Sequence, residues 1–231
     1  TAPMDSMALD PVTGIDGEPF SPNDNFSYAW NSDSGQLTLS YTPRATSTGG
    51  ITAAVVFDIS SGPAFDMRLD LHNQWGRTLE NVRFPNQLTF DMGTGDRALL
   101  PLSYPGVTLE EGFFAEQRAF SAGYPGRYHA DVAAVADAQS HVAVYTLHPQ
   151  RPVVASRFGF NPVDLPFLTA NTALDREFPV WVAHDSSWSS PCVRVEVGSP
   201  MAAVLQHYRS DNQLDAYPTF FTKAGGLGDT I

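Results

Sequence analysis

Phe65-Asp66-Met67-Arg68-Leu69-Asp70-Leu71-His72-Asn73 alternates apolar and polar side chains without a break. Successive side chains of a strand point to opposite faces, so this period of two predicts a half-buried strand. Phe65, Met67, Leu69 and Leu71 turn inward; Asp66, Arg68, Asp70 and His72 turn outward. Upstream, Ile51 to Phe57 is a nearly all-apolar run and reads as a strand covered on both faces. Before it, Phe26 to Trp30 and Gln36 to Tyr41 flank Asn31-Ser32-Asp33-Ser34-Gly35, residues that tolerate turn geometry, which predicts a hairpin.

Downstream, Val82-Arg83-Phe84 and Leu88-Thr89-Phe90 continue the β pattern around Pro85, which has no N–H to give a ladder and so demands an edge or a break. Tyr-Pro-Gly triplets at 104–106 and 124–126 suit type II turns and bracket an irregular stretch containing Glu110, Glu111 and Glu116. Tyr128 to Val135 and His141 to Leu147 read as a second strand pair joined through Asp137-Ala138-Gln139-Ser140. Four prolines between Pro149 and Pro166 predict a long surface excursion, and two late strands follow, Phe178 to Ala183 and Cys192 to Val197. Ser199 and Pro200 then open a helix with Met201, Val204, Leu205 and Tyr208 on one stripe. Roughly eleven strands and one late helix predict an all-β protein, a two-sheet antiparallel β-sandwich with one C-terminal helix. The expected divisions are a loop-rich segment 1–25, a sandwich 26–198, and a helix with a linker-like tail 199–231 that leads to a further domain.

The 231 residues carry 25 Asp+Glu against 13 Lys+Arg, a formal charge of −12, and the only lysine is Lys223. With 18 Gly and 18 Pro the composition is turn-rich, while 42 % hydrophobic residues supply a core. The negative charge and the scattered arginines give no footprint for nucleic acid or an anionic membrane, and no apolar run reaches the ~18–20 residues of a spanning helix. The single Cys192 forbids an intrachain disulfide and reads as a small buried strand residue, leaving the compartment open, with secreted or periplasmic the expectation.

No Gly-x-Ser-x-Gly elbow, phosphate loop or Cys–His pair occurs. His129 with Asp131, and His184 with Asp185, offer only two metal ligands each, so no metal or other cofactor is expected. Asp91-Met92-Gly93-Thr94-Gly95-Asp96 lacks the order of a calcium loop and reads as a hairpin turn. Glu196 alternates with Arg194 on an outward face, which suggests a surface ion pair. No catalytic residue is assigned. Sugars are held by aromatic faces and planar polar groups, and two loops concentrate these: Trp181 to Trp188 with His184 and Asp185, and Tyr124 to His129 with Arg127. Trp181 alternates into a strand and reads as core; Trp188, in a serine-rich loop, is the better candidate for ligand contact.

One family resemblance rests on Leu69-Asp70-Leu71-His72-Asn73, Leu79-Glu80-Asn81-Val82-Arg83-Phe84-Pro85, Leu99-Leu100-Pro101, Tyr124-Pro125-Gly126 before a strand, and Ser199-Pro200 opening a helix that ends Tyr208-Arg209. Over about residues 65–210 the chain resembles the N-terminal β-sandwich of glycoside-hydrolase-like proteins that continue into a (β/α) barrel, a galactose-mutarotase-like supersandwich. The resemblance implies a non-catalytic domain that supports a neighbouring catalytic barrel and lends loops to carbohydrate binding, the glycosidase activity belonging to the parent protein. Its alternatives are a self-standing carbohydrate-binding or lectin-like module, and a mutarotase-like sugar epimerase using His129 or His184; the His acid and Glu base of true mutarotases match no position here.

Overall fold

The computed structural model describes residues 25–42, 50–59, 62–100, 107–116, 118–125, 130–136, 141–147, 155–163 and 171–214. The first strands are β1 (Asn25–Asn31), β2 (Gln36–Thr42), β3 (Ile51–Asp58), β4 (Ala64–Asn73), β5 (Leu79–Arg83), β6 (Leu88–Phe90), β7 (Arg97–Leu100) and β8 (Val107–Glu110). A short helix α1 (Glu111–Ala115) precedes β9 (Phe120–Tyr124), β10 (Val132–Ala136), β11 (His141–Leu147) and β12 (Ser156–Pro162). Then come β13 (Thr172–Val182), β14 (Ser186–Ser189), β15 (Cys192–Val197) and α2 (Met201–Asp211).

The strands form two antiparallel sheets: a ten-stranded one ordered β1-β2-β3-β4-β15-β11-β10-β7-β8, with β14 also on β4, and a five-stranded one ordered β5-β13-β12-β9, with β6 also on β13. The two-sheet sandwich read from the sequence is therefore the fold. The main core lies between the sheets, and a smaller one joins Val132, Ala134, Ala143 and Tyr145 of the large sheet to Val204 and Tyr208 of α2.

Local patterns act as expected in β4, where Met67, Leu69 and Leu71 are buried and Arg68 is exposed. The β1–β2 hairpin closes at Asn31 opposite Gln36, and the Asn31 Oδ1 accepts the N–H groups of Asp33 (3.0 Å) and Ser34 (3.3 Å). Pro85 does mark a break. β5 and β6 run in succession along β13, bridged where Phe84 N–H donates to the Arg176 carbonyl (2.7 Å) and Arg176 N–H to that of Pro85 (3.0 Å).

Other expectations are corrected. β3 is buried only at Ala53 and Val55, its outer face being half-exposed; β10, buried throughout, is the strand covered on both faces. The proline-rich stretch is no continuous surface excursion, because β12 sits inside the small sheet between β13 and β9 with Phe158 and Phe160 in the core. The prolines fall outside its ladder or at its last residue, so they do not oppose it. β13 starts at Thr172, six residues earlier than the sequence suggested. The turn at Asp91 to Asp96 is not a hairpin: it carries the chain from β6 in one sheet to β7 in the other. Among the described residues fifteen strands replace the expected eleven. The turn at 104–106 and the link 137–140 lie outside the described residues.

One buried ion pair ties the layers. Arg176 on β13 and Asp131, just before β10, have no exposed side-chain surface, and the Arg176 Nη2 donates to Asp131 Oδ2 and to Ser156 Oγ (3.2 Å). Ser156 Oγ donates in turn to Asp131 Oδ1 (2.9 Å), and Asp131 N–H donates to the Tyr208 hydroxyl on α2 (3.1 Å). The guanidinium lies between the rings of Phe158 (4.7 Å) and Phe178 (4.9 Å). Burial pulls the Arg176 pKa down and Asp131 opposes that shift.

A second network pins α2 to the outer face of the large sheet. Arg194 makes two bonds to Asp66 (2.6 and 2.8 Å) and one to Asp211 (2.8 Å), while the Tyr145 hydroxyl reaches Asp211 (3.0 Å) and Glu196 (3.3 Å). Glu196 is thus no surface partner of Arg194. It is buried, and its other oxygen lies 2.8 Å from His207 Nδ1. Its strand faces outward, but the helix covers that face.

Two outcomes follow from these networks. Arg176→Leu strands the Asp131 carboxylate and is expected to cost about 3–5 kcal/mol in urea unfolding, whereas Arg176→Met with Asp131→Leu recovers most of that loss. Tyr145 and Tyr208 are both held above the ordinary value of 10.0, first by burial, so the folded state keeps protons that the unfolded chain releases above about pH 10. Their contribution is complete below that pH and is lost above it. Tm is expected to fall above about pH 10, and more shallowly in Tyr208→Phe.

Candidate functional site

At the β4 C-terminus the side chain of Asn73, fully buried, does the work of a small piece of backbone. Its Nδ2 donates to the carbonyls of Arg77 (2.7 Å), Val182 (2.9 Å) and Ala183 (3.2 Å), and its Oδ1 accepts the Trp75 N–H (3.0 Å). The loop after β4 and the turn after β13 are thereby held to one another. Asp185, at φ 59°, closes that turn by donating its N–H to the Asn73 carbonyl (2.6 Å). Aspartate tolerates this left-handed conformation better than most residues.

The groups this end presents are aromatic and planar polar. Trp75 packs partly on the core, and the Arg77 guanidinium lies 5.4 Å from its ring. His184 Nδ1 lies 3.2 Å from the Trp75 carbonyl. His72 Nδ1 lies 3.0 Å from Ser187 Oγ, and its Nε2 is 3.7 Å from Asp185 Oδ1. Ser187, His72 and Asp185 have the residue types of a hydrolase triad, but Asp185 is 76 % exposed and beyond hydrogen-bond range of the imidazole, so it does not orient the ring. Among the described residues no group of three His, Cys, Asp or Glu is placed to hold a metal.

The candidates read from sequence separate. His184 and Asp185 are exposed at this end. Trp188 is not in a loop: it belongs to β14, paired with β4, and its half-buried ring packs 5.7 Å from that of Phe178. Trp181, read as core, is 78 % exposed, because Phe178, Val180 and Val182 take the inward positions of β13. Tyr124 is half-buried on β9 and hydrogen-bonds the Tyr208 side chain. It also lies within electrostatic reach of Arg176, six residues along β13 from Val182, roughly 20 Å at strand rise. Tyr124 therefore belongs to the buried ion-pair cluster and not to the His184 end. Arg127 and His129 lie outside the described residues.

Asn73, Trp75, Arg77 and His72 were the contributors that sequence reasoning passed over. Asn73 closes a strict alternation at an inward position, where an amide must find partners, and that was the available signal. Cys192 is half-buried, and desolvation pushes its thiol up to about 11, away from nucleophile chemistry. Elsewhere, an open depression of about 390 Å³ beside α1 is lined by Thr108, Leu109, Glu110, Gly112, Phe113, Glu116 and Arg118, with Arg118 paired to Glu116 at 2.6 Å.

The fold resembles that of β-sandwich domains in carbohydrate-active enzymes. Among solved structures the chain is similar to an alpha-N-acetylgalactosaminidase from Bifidobacterium bifidum, at 14 % identity and TM-score 0.54, covering 83 % of this chain and 31 % of that one. It is also similar to an alpha-galactosidase from Lactobacillus brevis, at 11 % identity and TM-score 0.52, covering 81 % and 26 %. A TPR-domain containing protein from Parabacteroides distasonis shares the fold at 8 % identity and TM-score 0.50, over 83 % and 38 %. The chain thus spans well under half the length of each, and at these identities the likeness is one of fold. No protein-family model and no curated protein matches the sequence.

Asn73→Ala removes the donor that three carbonyls share and is expected to cost about 1–3 kcal/mol. Hydrogen exchange is expected to speed up in residues 74–78 and 183–186 well before the β10–β11 core responds.

Proposed function

We propose that the chain is a non-catalytic β-sandwich domain of a carbohydrate-active protein, which supports a neighbouring catalytic domain and contacts carbohydrate at the end built on Asn73. The observation that carries this reading is the fold shared with two galactoside-processing enzymes over about four fifths of this chain and less than a third of theirs. In those two enzymes the matched segment is one part of a longer chain. The Asn73 end supports the contact role: a partly exposed indole, a guanidinium, two imidazoles and a carboxylate present the apolar face and planar donors and acceptors that a sugar ring needs. Among the described groups named at this end Asp185 is the one carboxylate, whereas glycoside hydrolysis uses a pair.

The chain alone is expected to bind galactose, N-acetylgalactosamine or their oligosaccharides at millimolar strength, with at least a tenfold loss in Arg77→Ala and in His184→Ala, read by titration calorimetry or ligand NMR. It is expected to release no nitrophenol from nitrophenyl α-galactosides. Turnover by the chain alone overturns the non-catalytic reading; absence of binding to any glycan overturns the contact role.

A further inference from the structure

The outermost strand of the large sheet carries a row of aromatic rings that no other described element covers. Phe26, Tyr28 and Trp30 on β1 stand opposite Tyr41, Leu39 and Leu37 of β2, and Leu39 and Tyr41 are buried in the inter-sheet core. The three rings therefore extend the inner, apolar face of the large sheet past the reach of the small one. They are 46 %, 73 % and 54 % exposed.

An edge strand with an unpaired backbone is open to pairing with another chain, and proteins blunt such edges with charge, proline or short length. The other terminal strands here are blunted. β8 is four residues long, with Glu110 leading into α1; β5 carries Glu80 and Arg83 and stops before Pro85; β9 stops at Pro125. β1, Asn25-Phe26-Ser27-Tyr28-Ala29-Trp30-Asn31, is seven residues long with no charge and no proline. Its sequence is also symmetric in chemistry about Tyr28: Phe26 and Trp30 flank it at two residues, and Asn25 and Asn31 at three.

We propose that β1 is a dimerisation edge on which a second copy of this chain pairs antiparallel about a two-fold axis through Tyr28. In that register Tyr28 stands opposite Tyr28 of the second copy and Phe26 opposite its Trp30, giving aromatic cross-strand pairs on one face and a large sheet continuous through both copies. At about 200 Å² for a large aromatic side chain, the exposed fractions leave roughly 350 Å² of ring surface per chain. Edge pairing leaves the outer faces of these rings in solvent, so two copies bury less than the ~1,000 Å² of a stable interface and the dimer is expected to be a weak one, with a Kd of roughly tens of micromolar. The inference is independent of any carbohydrate role.

The test has two arms on the 231-residue chain. In sedimentation at about 10–200 µM the wild type is expected to pass from monomer to dimer, and Tyr28→Lys, which sets two ammonium groups against each other at the axis, is expected to stay monomeric with an unchanged circular dichroism spectrum. In a Cys192→Ala background, Tyr28→Cys is expected to form an inter-chain disulfide on mild oxidation, because residues directly opposite one another lie at bridging distance. Phe26→Cys is expected not to, since its own counterpart lies four residues away along the pairing. A wild type that stays monomeric throughout overturns the proposal, whether residues 1–24 or a sugar occupies the edge instead. So does a dimer that survives Tyr28→Lys, or equal cross-linking of both cysteine variants.

Discussion

The pairing of Arg176 with Asp131 is the constraint on which the three layers depend. Burying two opposite charges costs several kcal/mol per ion before their attraction is counted, and only good geometry with further hydrogen bonds offsets it. Here Ser156 of the small sheet bonds both charged groups, the rings of Phe158 and Phe178 lie 4.7 and 4.9 Å from the guanidinium, and the Tyr208 hydroxyl of the helix holds the Asp131 backbone in place by accepting its N–H. Any sliding of one sheet over the other separates these partners. A purely apolar core tolerates several registers of two packed sheets, whereas the contacts of Arg176 with Asp131 and Ser156 form in one, and the buried Arg176 Nε and Nη1, without a hydrogen-bond partner among the described residues, make any loss of them costly.

The unequal width of the sheets explains much else. Ten strands face five, so the middle of the large sheet is covered on its inner side by β12 and β13, and on its outer side by α2. That double cover is why β10 is a run of buried Val and Ala. It is also why Glu196 and Tyr145, on the helix-covered face, are drawn into a network with Arg194, Asp66 and Asp211. Toward the flank the cover given by the described elements ends, and the rings of β1 are exposed among them. The loops at the Asn73 end stand where β4 and β13 both finish, and one amide there replaces the missing ladder.

Where the sequence was readable, the signal was local. The alternation from Phe65 to Asn73 and the turn at Asn31 to Gly35 are each set by the period of a strand and by the conformational tolerance of a few residues. β12 was missed because its strand pattern lies among prolines whose effect depends on whether the chain is in a ladder at each of them. β14 was missed because four residues with three serines carry no apolar period. They become a strand only because β4 offers an edge, and at the following Pro191 the Ser190 hydroxyl accepts the Leu69 N–H (2.9 Å) where the ladder is interrupted. Of the six candidate site residues, His184 and Asp185 stand together at an exposed end, while Trp188 and Tyr124 went to packing. Exposure is a property of neighbours distant in sequence, and Trp181 and Trp188 exchange their expected roles for that reason.

The sequence by itself determined an acidic, all-β chain, two antiparallel sheets with a late helix, and the inward and outward faces of its strongest strands, because those follow from residue type and a period of two. Only the tertiary structure decided that Arg176 and Asp131 meet, that Asn73 joins two loops 110 residues apart, that Glu196 is buried and Trp181 is not, and that the other described elements leave β1 uncovered. Each of these depends on which surfaces are brought face to face, and a linear pattern records what a residue prefers without recording what arrives to meet it.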